Sequence, residues 1–257
     1  MNPKEILRSL LPYGLVASRH RKFRLSRLGL PNSREIETAV ETCRYDLWPE
    51  FLRNAKEPWT LVDVGANVGD FVAAAAKLRP FQSVYAMEPQ PSCQAELAAT
   101  LQHLPNAKQI PAAVGRTEGS LELHVTANSR MTSGLRPEKG IHSAYSNGDF
   151  SIAETLTVPT ITLDSAIPHE VTVGLLKLDV QGFEIEVLAG AVSTLQRTRS
   201  ILIEVNYIRH YENGAVFDDI YEELRQSGFR LYGISEPFGS TSNQPLWADA
   251  VFVNQNS

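Results

Sequence analysis

The sequence predicts a doubly wound α/β fold built on a mostly parallel sheet, with a β-hairpin and loop insertion and an N-terminal helical extension. Two observations carry that expectation. Short apolar runs alternate with amphipathic or alanine-rich stretches along most of the chain, and the segments richest in glycine and acid fall where apolar runs end. Strands separated by helices join as right-handed βαβ units, and such a sheet opens its ligand crevice at the carboxyl ends of its strands.

Element by element, Ile36, Val40, Leu47, Phe51 and Leu52 recur at near-helical spacing and predict a helix over 35–53. A strand over 60–64 stops at Gly65; an alanine-rich helix over 71–78 ends before Pro80. A second strand over 83–87, a helix over 93–103 and a third strand over 108–114 follow. The alternation then breaks. Residues 120–126 place Leu121, Leu123 and Val125 on one face of a strand, and 156–163 pairs beside it. Between them, 127–150 is rich in Ser, Asn and Gly without apolar period, and a connection of that length is usually a functional lid or a mobile segment. Alternation resumes with strand 174–178, helix 184–195, strand 201–205, helix 217–227, strand 229–234 and a final strand over 248–253.

This divides the chain into a basic arm with helical extension over 1–55 and one α/β domain over 56–257, a division that a length of 257 residues suits. Hydrophobic residues make up 43% and charged residues 21%, as in ordinary globular proteins. Cys43 and Cys93 match neither a CxxC nor a zinc spacing, so a reducing, cytoplasmic compartment is the simpler expectation. Charge is uneven: seven basic residues against Glu5 alone give residues 1–30 a charge of +6, leaving −11 for the rest of a chain whose total is −5. A nucleic-acid enzyme spreads basic surface around its catalytic domain, so no nucleic-acid partner is expected. Residues 6–16, followed by Arg19-His20-Arg21-Lys22, suit peripheral contact with an anionic membrane surface; an arm packed on the domain or frayed is the plainer alternative.

The first strand runs into Asp63-Val64-Gly65-Ala66-Asn67-Val68-Gly69. The spacing is GxxxG, not the GxGxxG that cradles a dinucleotide pyrophosphate at a helix N-terminus. A ligand with an amino-acid tail, such as S-adenosylmethionine, needs a turn that admits a bulkier zwitterion, and missing Cβ atoms let a ligand approach the backbone. Asp63 suits an ammonium or an ordered water; it could equally cap the turn. The second strand ends in Glu88-Pro89, about 20 residues past the glycines, where an acid accepts hydrogen bonds from both ribose hydroxyls. Ala113-Val114-Gly115 ends the third strand as an apolar wall for adenine or as plain sheet core.

Taken together these residues resemble the FkbM methyltransferases. Residues 63–69 look like their first motif, Glu88-Pro89 like the second and Ala113-Val114-Gly115 like the third. Thr162-Leu163-Asp164-Ser165, residues 176–184, Val187-Leu188-Ala189-Gly190-Ala191 and Ile203-Glu204-Val205 follow in the family's order, over residues 59–253 in all. The resemblance implies the class I methyltransferase fold, Rossmann-like with its last strand antiparallel. It also implies S-adenosylmethionine as cofactor, bound by Asp63, Gly65, Ala66, Asn67, Gly69, Glu88, Pro89, Ala113 and Val114. The reaction implied is O-methylation, often of sugar hydroxyls in natural products, glycolipids or surface polysaccharides.

Methyl transfer to oxygen needs alignment and removal of a proton, so a carboxylate or His is sought beyond the strand ends. Asp179 is the first choice, with Lys177 two residues earlier on the same face to hold it ionised; capping the following helix is its structural alternative. Glu204 and Asn206 share a side at the next strand end and could bind an acceptor hydroxyl or orient His210, the alternative base. Gln181 stands where the family usually has Glu, so it can donate a hydrogen bond but serve neither as base nor as hard-metal ligand. No His, Cys or carboxylate cluster has metal spacing, and no metal is expected. Within 127–150, Ser129, Arg130, Ser133, His142, Tyr145 and Asn147 are suited to selecting a small-molecule or glycan acceptor, or simply form an exposed insertion. Two rivals remain: a nicotinamide-dependent oxidoreductase, which predicts a third glycine and a pyrophosphate nest that this sequence lacks, and a catalytically silent domain that binds cofactor or partner.

Overall fold

The computed structural model describes residues 24–127, 132–145, 149–239 and 244–255; the basic segment over 6–22 lies outside them. Helix α1 (Arg34–Thr42) starts at Ser33, whose hydroxyl accepts the Ile36 N–H. The continuous helix expected over 35–53 is broken: Arg44 turns left-handed at φ 52°, a 3-10 turn spans Tyr45–Leu47, and α2 (Glu50–Arg53) begins only after Pro49. Pro49 has no N–H to give a helix and forces the residue before it into extended backbone, which is where Trp48 lies (ψ 139°). The break drives Trp48 fully into the core, its Nε1 donating to the Cys43 carbonyl and its ring packed edge-on to Trp59.

Strand β1 (Trp59–Val64) is buried along its whole length and feeds α3 (Asp70–Leu78); β2 (Phe81–Met87) feeds α4 (Gln94–Leu101) and β3 (Ala107–Ile110). The expected third strand splits at Pro111, and its second half becomes β4 (Ala113–Val114) in a separate sheet. That smaller sheet contains β5 (Gly119–Thr126), β6 (Thr132–Ser133) and β7 (Ile152–Ile161), in the order β4-β7-β5-β6, with β5 and β7 antiparallel as expected. After α5 (Leu163–Ala166), the chain returns to the main sheet with β8 (Val173–Leu178). The helix expected over 184–195 is two helices, α6 (Glu184–Ala189) and α7 (Val192–Gln196), parted at Gly190. A Cβ on Gly190 would overlap the Gly115 carbonyl oxygen, so the chain passes too close to the small sheet for any other residue. Asp164 then caps α7, accepting the Ser193 and Thr194 N–H groups.

Strand β9 (Thr198–Asn206), α8 (Phe217–Gln226), β10 (Phe229–Ile234), the short β11 (Phe238–Gly239) and β12 (Pro245–Asn254) complete the chain. The main sheet runs β10-β12-β9-β8-β1-β2-β3, with β11 added against β12. Strands β3, β2, β1, β8 and β9 are mutually parallel, and β12 is antiparallel to both its neighbours, β9 and β10. Helices cover both faces. Leu61, Leu175, Leu202 and Val251 pack with Val40, Val72 and Leu97 on one side; Val62, Leu176, Ile203 and Ala250 pack with Val187, Leu195 and Leu224 on the other. From β1 the order steps outward through β2 and β3 one way and through β8 and β9 the other. The crevice therefore opens between the carboxyl ends of β1 and β8.

Candidate functional site

Four strands change character together as they reach that edge. On the face that carries Leu61, Leu175, Leu202 and Val251 in the core, the positions two residues nearer the carboxyl end of β1, β8 and β9 are Asp63, Lys177 and Glu204. In antiparallel β12 the equivalent step leads to Asp249, which lies opposite Glu204. One further step brings Gly65, Asp179, Asn206 and Trp247. The period of two that buries the core thus lines up a polar rank along one edge of the sheet.

Lys177 ties this rank together. Its Nζ lies 3.2 Å from Asp63 Oδ1 and 3.4 Å from Asp179 Oδ2, and donates to the Gly65 carbonyl at 3.1 Å. Burial alone would depress the ammonium, but the two carboxylates outweigh it and hold Lys177 above the usual lysine range. Asp63 is fully buried; burial pushes its carboxyl upward and Lys177 opposes that. Asp63 touches neither cavity described below, so its effect on any ligand passes through Lys177 and the turn.

The glycines of the turn serve the protein before any ligand. Gly65 has φ 79°, and a Cβ there would overlap the Asp179 carbonyl oxygen; the missing side chain is what lets the ends of β1 and β8 close up. Gly69, at φ 91°, caps α3 against the Thr100 side chain. Asn67 is left-handed at φ 50°, and its N–H points at Glu88. Gly65 also borders the cavities described below, whereas Gly69, expected to clear the way for a ligand, is on neither wall.

A first cavity is lined by Gly65, Asn67, Glu88, Pro89, Ala113 and Val114 among the expected residues; Ala66 and Gly69 are not on its wall. Glu88 Oε2 accepts the Asn67 N–H at 2.9 Å and Oε1 the Gln90 N–H at 2.8 Å, so each oxygen keeps a lone pair for a hydroxyl in the cavity. Burial raises the Glu88 carboxyl, against these two hydrogen bonds. Sequence reading missed the lid of this cavity. Leu121 and Leu123 of β5, Thr132 and Ser133 of β6 and Phe183 come from the small sheet and the turn after β8. The hydroxyl of Thr132 donates to Gln90 Oε1, and that of Ser133 to the Gln181 carbonyl. Alternation in β5 put Leu121 and Leu123 on a common face, but nothing local indicated which wall they build.

The second cavity, about 380 Å³, meets the first at Gly65, Asn67 and Asp179. Glu204, Asp249, Trp247, Lys177, Arg44 and Ala66 line it. Arg44, placed by the unpredicted break after α1, is paired with Asp249 at 2.9 Å. Among the described residues Asp179 is the one acid that borders both cavities. Its Oδ1 accepts Gln181 Nε2 at 2.8 Å, and the turn is set by Gln181 and Gly182, left-handed at φ 57° and 92°. Glu204 is pushed well above the carboxylate range by burial and by the carboxylates of Asp179, Glu184 and Asp249.

His210 is placed differently from expectation. Its Nδ1 faces the Ile208 carbonyl at 3.0 Å and therefore carries the proton; its Nε2 then accepts the Tyr145 hydroxyl at 2.6 Å. Burial lowers its pKa to about 4, so the ring is neutral, and both nitrogens are occupied within the protein. The partners of His210 are thus Tyr145 and Ile208, and of the two roles open to Glu204 and Asn206 the orienting of His210 falls away. The segment over 127–150 crosses this region: Glu138 N–H donates to the His210 carbonyl, Glu212 N–H to the Arg136 carbonyl, and Pro137 bridges Tyr211. Of its expected acceptor residues, Ser133 lines the first cavity, His142 lies against a separate surface hollow, and Ser129, Arg130 and Asn147 lie outside the described residues. Among the described residues no group of three or more His, Cys, Asp or Glu is arranged to hold a metal ion, and no helix is long and apolar enough to cross a membrane.

The family model of the methyltransferase FkbM domain matches residues 63–231. The chain is similar to the 31-O-demethyl-FK506 methyltransferase FkbM of Streptomyces tacrolimicus, 27% identical over 68% of this chain and 74% of the relative. It is also similar to the 2-O-methyltransferase NoeI of Sinorhizobium fredii (26%; 59% of this chain, 65% of the relative) and to the hexuronic acid methyltransferase AglP of Haloferax volcanii (24%; 60% and 59%). It thus spans a little less than two thirds of the last two. Among solved structures, a putative S-adenosylmethionine dependent methyltransferase from Listeria monocytogenes superposes with a TM-score of 0.48 at 11% identity, over 84% of this chain and 98% of that one. The magnesium protoporphyrin IX methyltransferase ChlM from Synechocystis superposes with 0.44 at 12%, over 86% and 78%.

Proposed function

This chain belongs to the FkbM family of methyltransferases and is an S-adenosylmethionine-dependent enzyme; on that premise we propose that it methylates a hydroxyl group, carried by a sugar or glycoconjugate. The observation that carries this reading is the position of Asp179, a carboxylate held at the junction of two cavities, one fitted to a nucleoside and the other lined by acids and an aromatic ring. Relatives named for O-methylation and for a hexuronic acid support the choice of oxygen and of a sugar.

The residues fit the cofactor. Glu88 offers two oxygens, each with one lone pair already taken by a backbone N–H and one left for a ribose hydroxyl. Val114, Leu121, Leu123 and Phe183 supply an apolar slot for a purine. The turn over 65–69 and the acids beside it suit a zwitterionic tail. When bound, S-adenosylmethionine supplies a methyl group already activated on a sulfonium.

What remains for the protein is alignment and the removal of a proton, and alignment is worth up to roughly 7–11 kcal/mol where it is fully exploited. In this reading Asp179 accepts the hydrogen of the acceptor hydroxyl. Lys177 and Gln181 each hold one of its two oxygens, so it meets the hydroxyl in one orientation. Glu204 binds a neighbouring hydroxyl. Phe183 and the β5–β6 wall close one side of the first cavity beside the junction. His210 acts at one remove by holding Tyr145.

Incubating the protein with S-adenosylmethionine labelled in its methyl group and a pool of hydroxylated saccharides tests the reading. The expected product carries the label on a sugar oxygen. Label found only on nitrogen or carbon, or only on compounds without sugar, overturns it.

A further inference from the structure

We infer that the second cavity is the acceptor site and that it selects a sugar ring carrying no acid group, with Trp247 as the surface on which the ring lies; this rests on the sugar-hydroxyl reading above. The cavity is of small-molecule size and meets the first at Asp179, so a hydroxyl held in it reaches the carboxylate that receives its proton.

One wall is aromatic. Trp247 is stacked on Phe238 with centroids 5.5 Å apart and planes 19° from parallel, and Phe238 is stacked on Tyr145 at 6.1 Å and 20°. Phe238 is half exposed, although a ring in a stacked row is otherwise worth burying. Faces of such rings carry negative quadrupole and attract the C–H groups on the flat side of a pyranose, or an amine on it. The Tyr145 hydroxyl is pinned by His210, so the far end of the row is anchored.

The lining beside Trp247 is acidic. Asp179, Glu204 and Asp249 converge from β8, β9 and β12, with Glu41 and Asp70 also on the wall. Both cations of the lining are engaged: Lys177 with Asp63 and Asp179, Arg44 with Asp249. Glu204 makes no hydrogen bond to a described residue, and a carboxyl group so enclosed gains most from a hydroxyl partner. A carboxylate brought in on a uronic acid would meet the carboxylates of Asp179 and Asp249 while both cations of the lining are already paired, and like charges set together cost several kcal/mol. Uncharged and amine-bearing rings escape that cost.

The test is a saccharide array probed with the full chain in the presence of S-adenosylhomocysteine, followed by titration of the sugars retained. Uncharged or amino sugars should be retained and uronic acids not. Trp247→Ala should weaken binding of a retained sugar at least about tenfold while leaving S-adenosylhomocysteine affinity unchanged. Asp249→Asn, which frees Arg44, should raise affinity for methyl glucuronide. Uronic acids bound by the unmodified chain as tightly as neutral sugars, or indifference to Trp247→Ala, overturns the inference and leaves the sugar-hydroxyl reading standing. S-adenosylhomocysteine bound with every saccharide refused overturns that reading itself, and the inference falls with it.

Discussion

Gln181 donates its amide hydrogen to Asp179 Oδ1 at 2.8 Å while its own Oε1 accepts the Tyr211 hydroxyl at 2.7 Å. Burial and surrounding carboxylates push Tyr211 well above the ordinary tyrosine range, so it is a donor, and the amide is left with one orientation. The family-like pattern has Glu at this position. A carboxylate cannot donate to Asp179, so the departure from the pattern is matched by a hydrogen bond that only an amide can make.

Gln181→Glu should therefore lower turnover while leaving cofactor affinity nearly intact. Two carboxyl groups at hydrogen-bonding distance keep a link only by sharing a proton, which Asp179 must give up before it can accept another, so the acid limb of the variant's rate should lie at higher pH than the parent's. A loss of about tenfold or more in kcat near neutrality is expected. Profiles of kcat against pH check this; superimposable profiles would leave Gln181 without a positioning role.

Glu88→Ala reaches further than a lost ribose contact. The carboxylate also accepts the N–H groups of Asn67 and Gln90, and stripping it leaves two enclosed donors without partners, at about 1–3 kcal/mol each. Both the melting temperature and the affinity for S-adenosylhomocysteine should drop. Glu88→Gln keeps one acceptor oxygen and should recover part of the stability but little of the affinity. Calorimetry with thermal melts measures both, and unchanged affinity in either variant would remove Glu88 from the ribose.

How much of this was legible in the sequence depends on what each residue answers to. The strands and the rank of Asp63, Lys177, Asp179 and Glu204 follow from a period of two that ends in charge, which a single chain displays. Arg44 and Trp247 reach the second cavity through long-range packing: one through the left-handed turn that follows α1, the other through pairing of the last strand with β9. Neither leaves a local trace. Gly190 and Asp164 belong to family-like motifs yet hold up the frame, one passing Gly115 and the other capping α7. His210 looked like a base because its ordinary pKa lies near neutrality; burial lowers it to about 4, and burial is not written in the neighbouring residues.

Glu184 gives the fold a pH dependence of its own. It is fully buried and accepts the Val180 and Gly182 N–H groups through Oε1, while Oε2 has no partner; burial raises its pKa from 4.5 to about 7. Below 4.5 the group is protonated in the folded and unfolded chain alike and costs nothing. Between 4.5 and about 7 only the unfolded chain ionises it, so stability falls as pH rises, by up to about 3 kcal/mol, and the loss is complete above 7. Glu184→Gln keeps the Oε1 acceptor and cannot ionise; any cost of its buried amide is the same at every pH. The melting temperature of the variant minus that of the parent should therefore climb across this window. A difference that stays flat assigns the pH dependence elsewhere.

Asp179 and Glu204 compete for the role of base, and their surroundings separate them. Asp179 has both oxygens fixed, by Lys177 and by Gln181, and borders both cavities; Glu204 has no such partners, faces only the second cavity and is driven toward its protonated form by burial and by three neighbouring carboxylates. A group that mostly carries its proton donates a hydrogen bond well and receives a proton poorly. Asp179→Asn should therefore cut kcat by about 10²–10⁴-fold, with S-adenosylhomocysteine affinity little changed. Glu204→Gln keeps a donor in place and should act mainly on the acceptor's KM. Steady-state kinetics of the two variants on one acceptor decide the matter. If Glu204→Gln loses its kcat while Asp179→Asn keeps it, the assignment reverses and the proton leaves by way of β9.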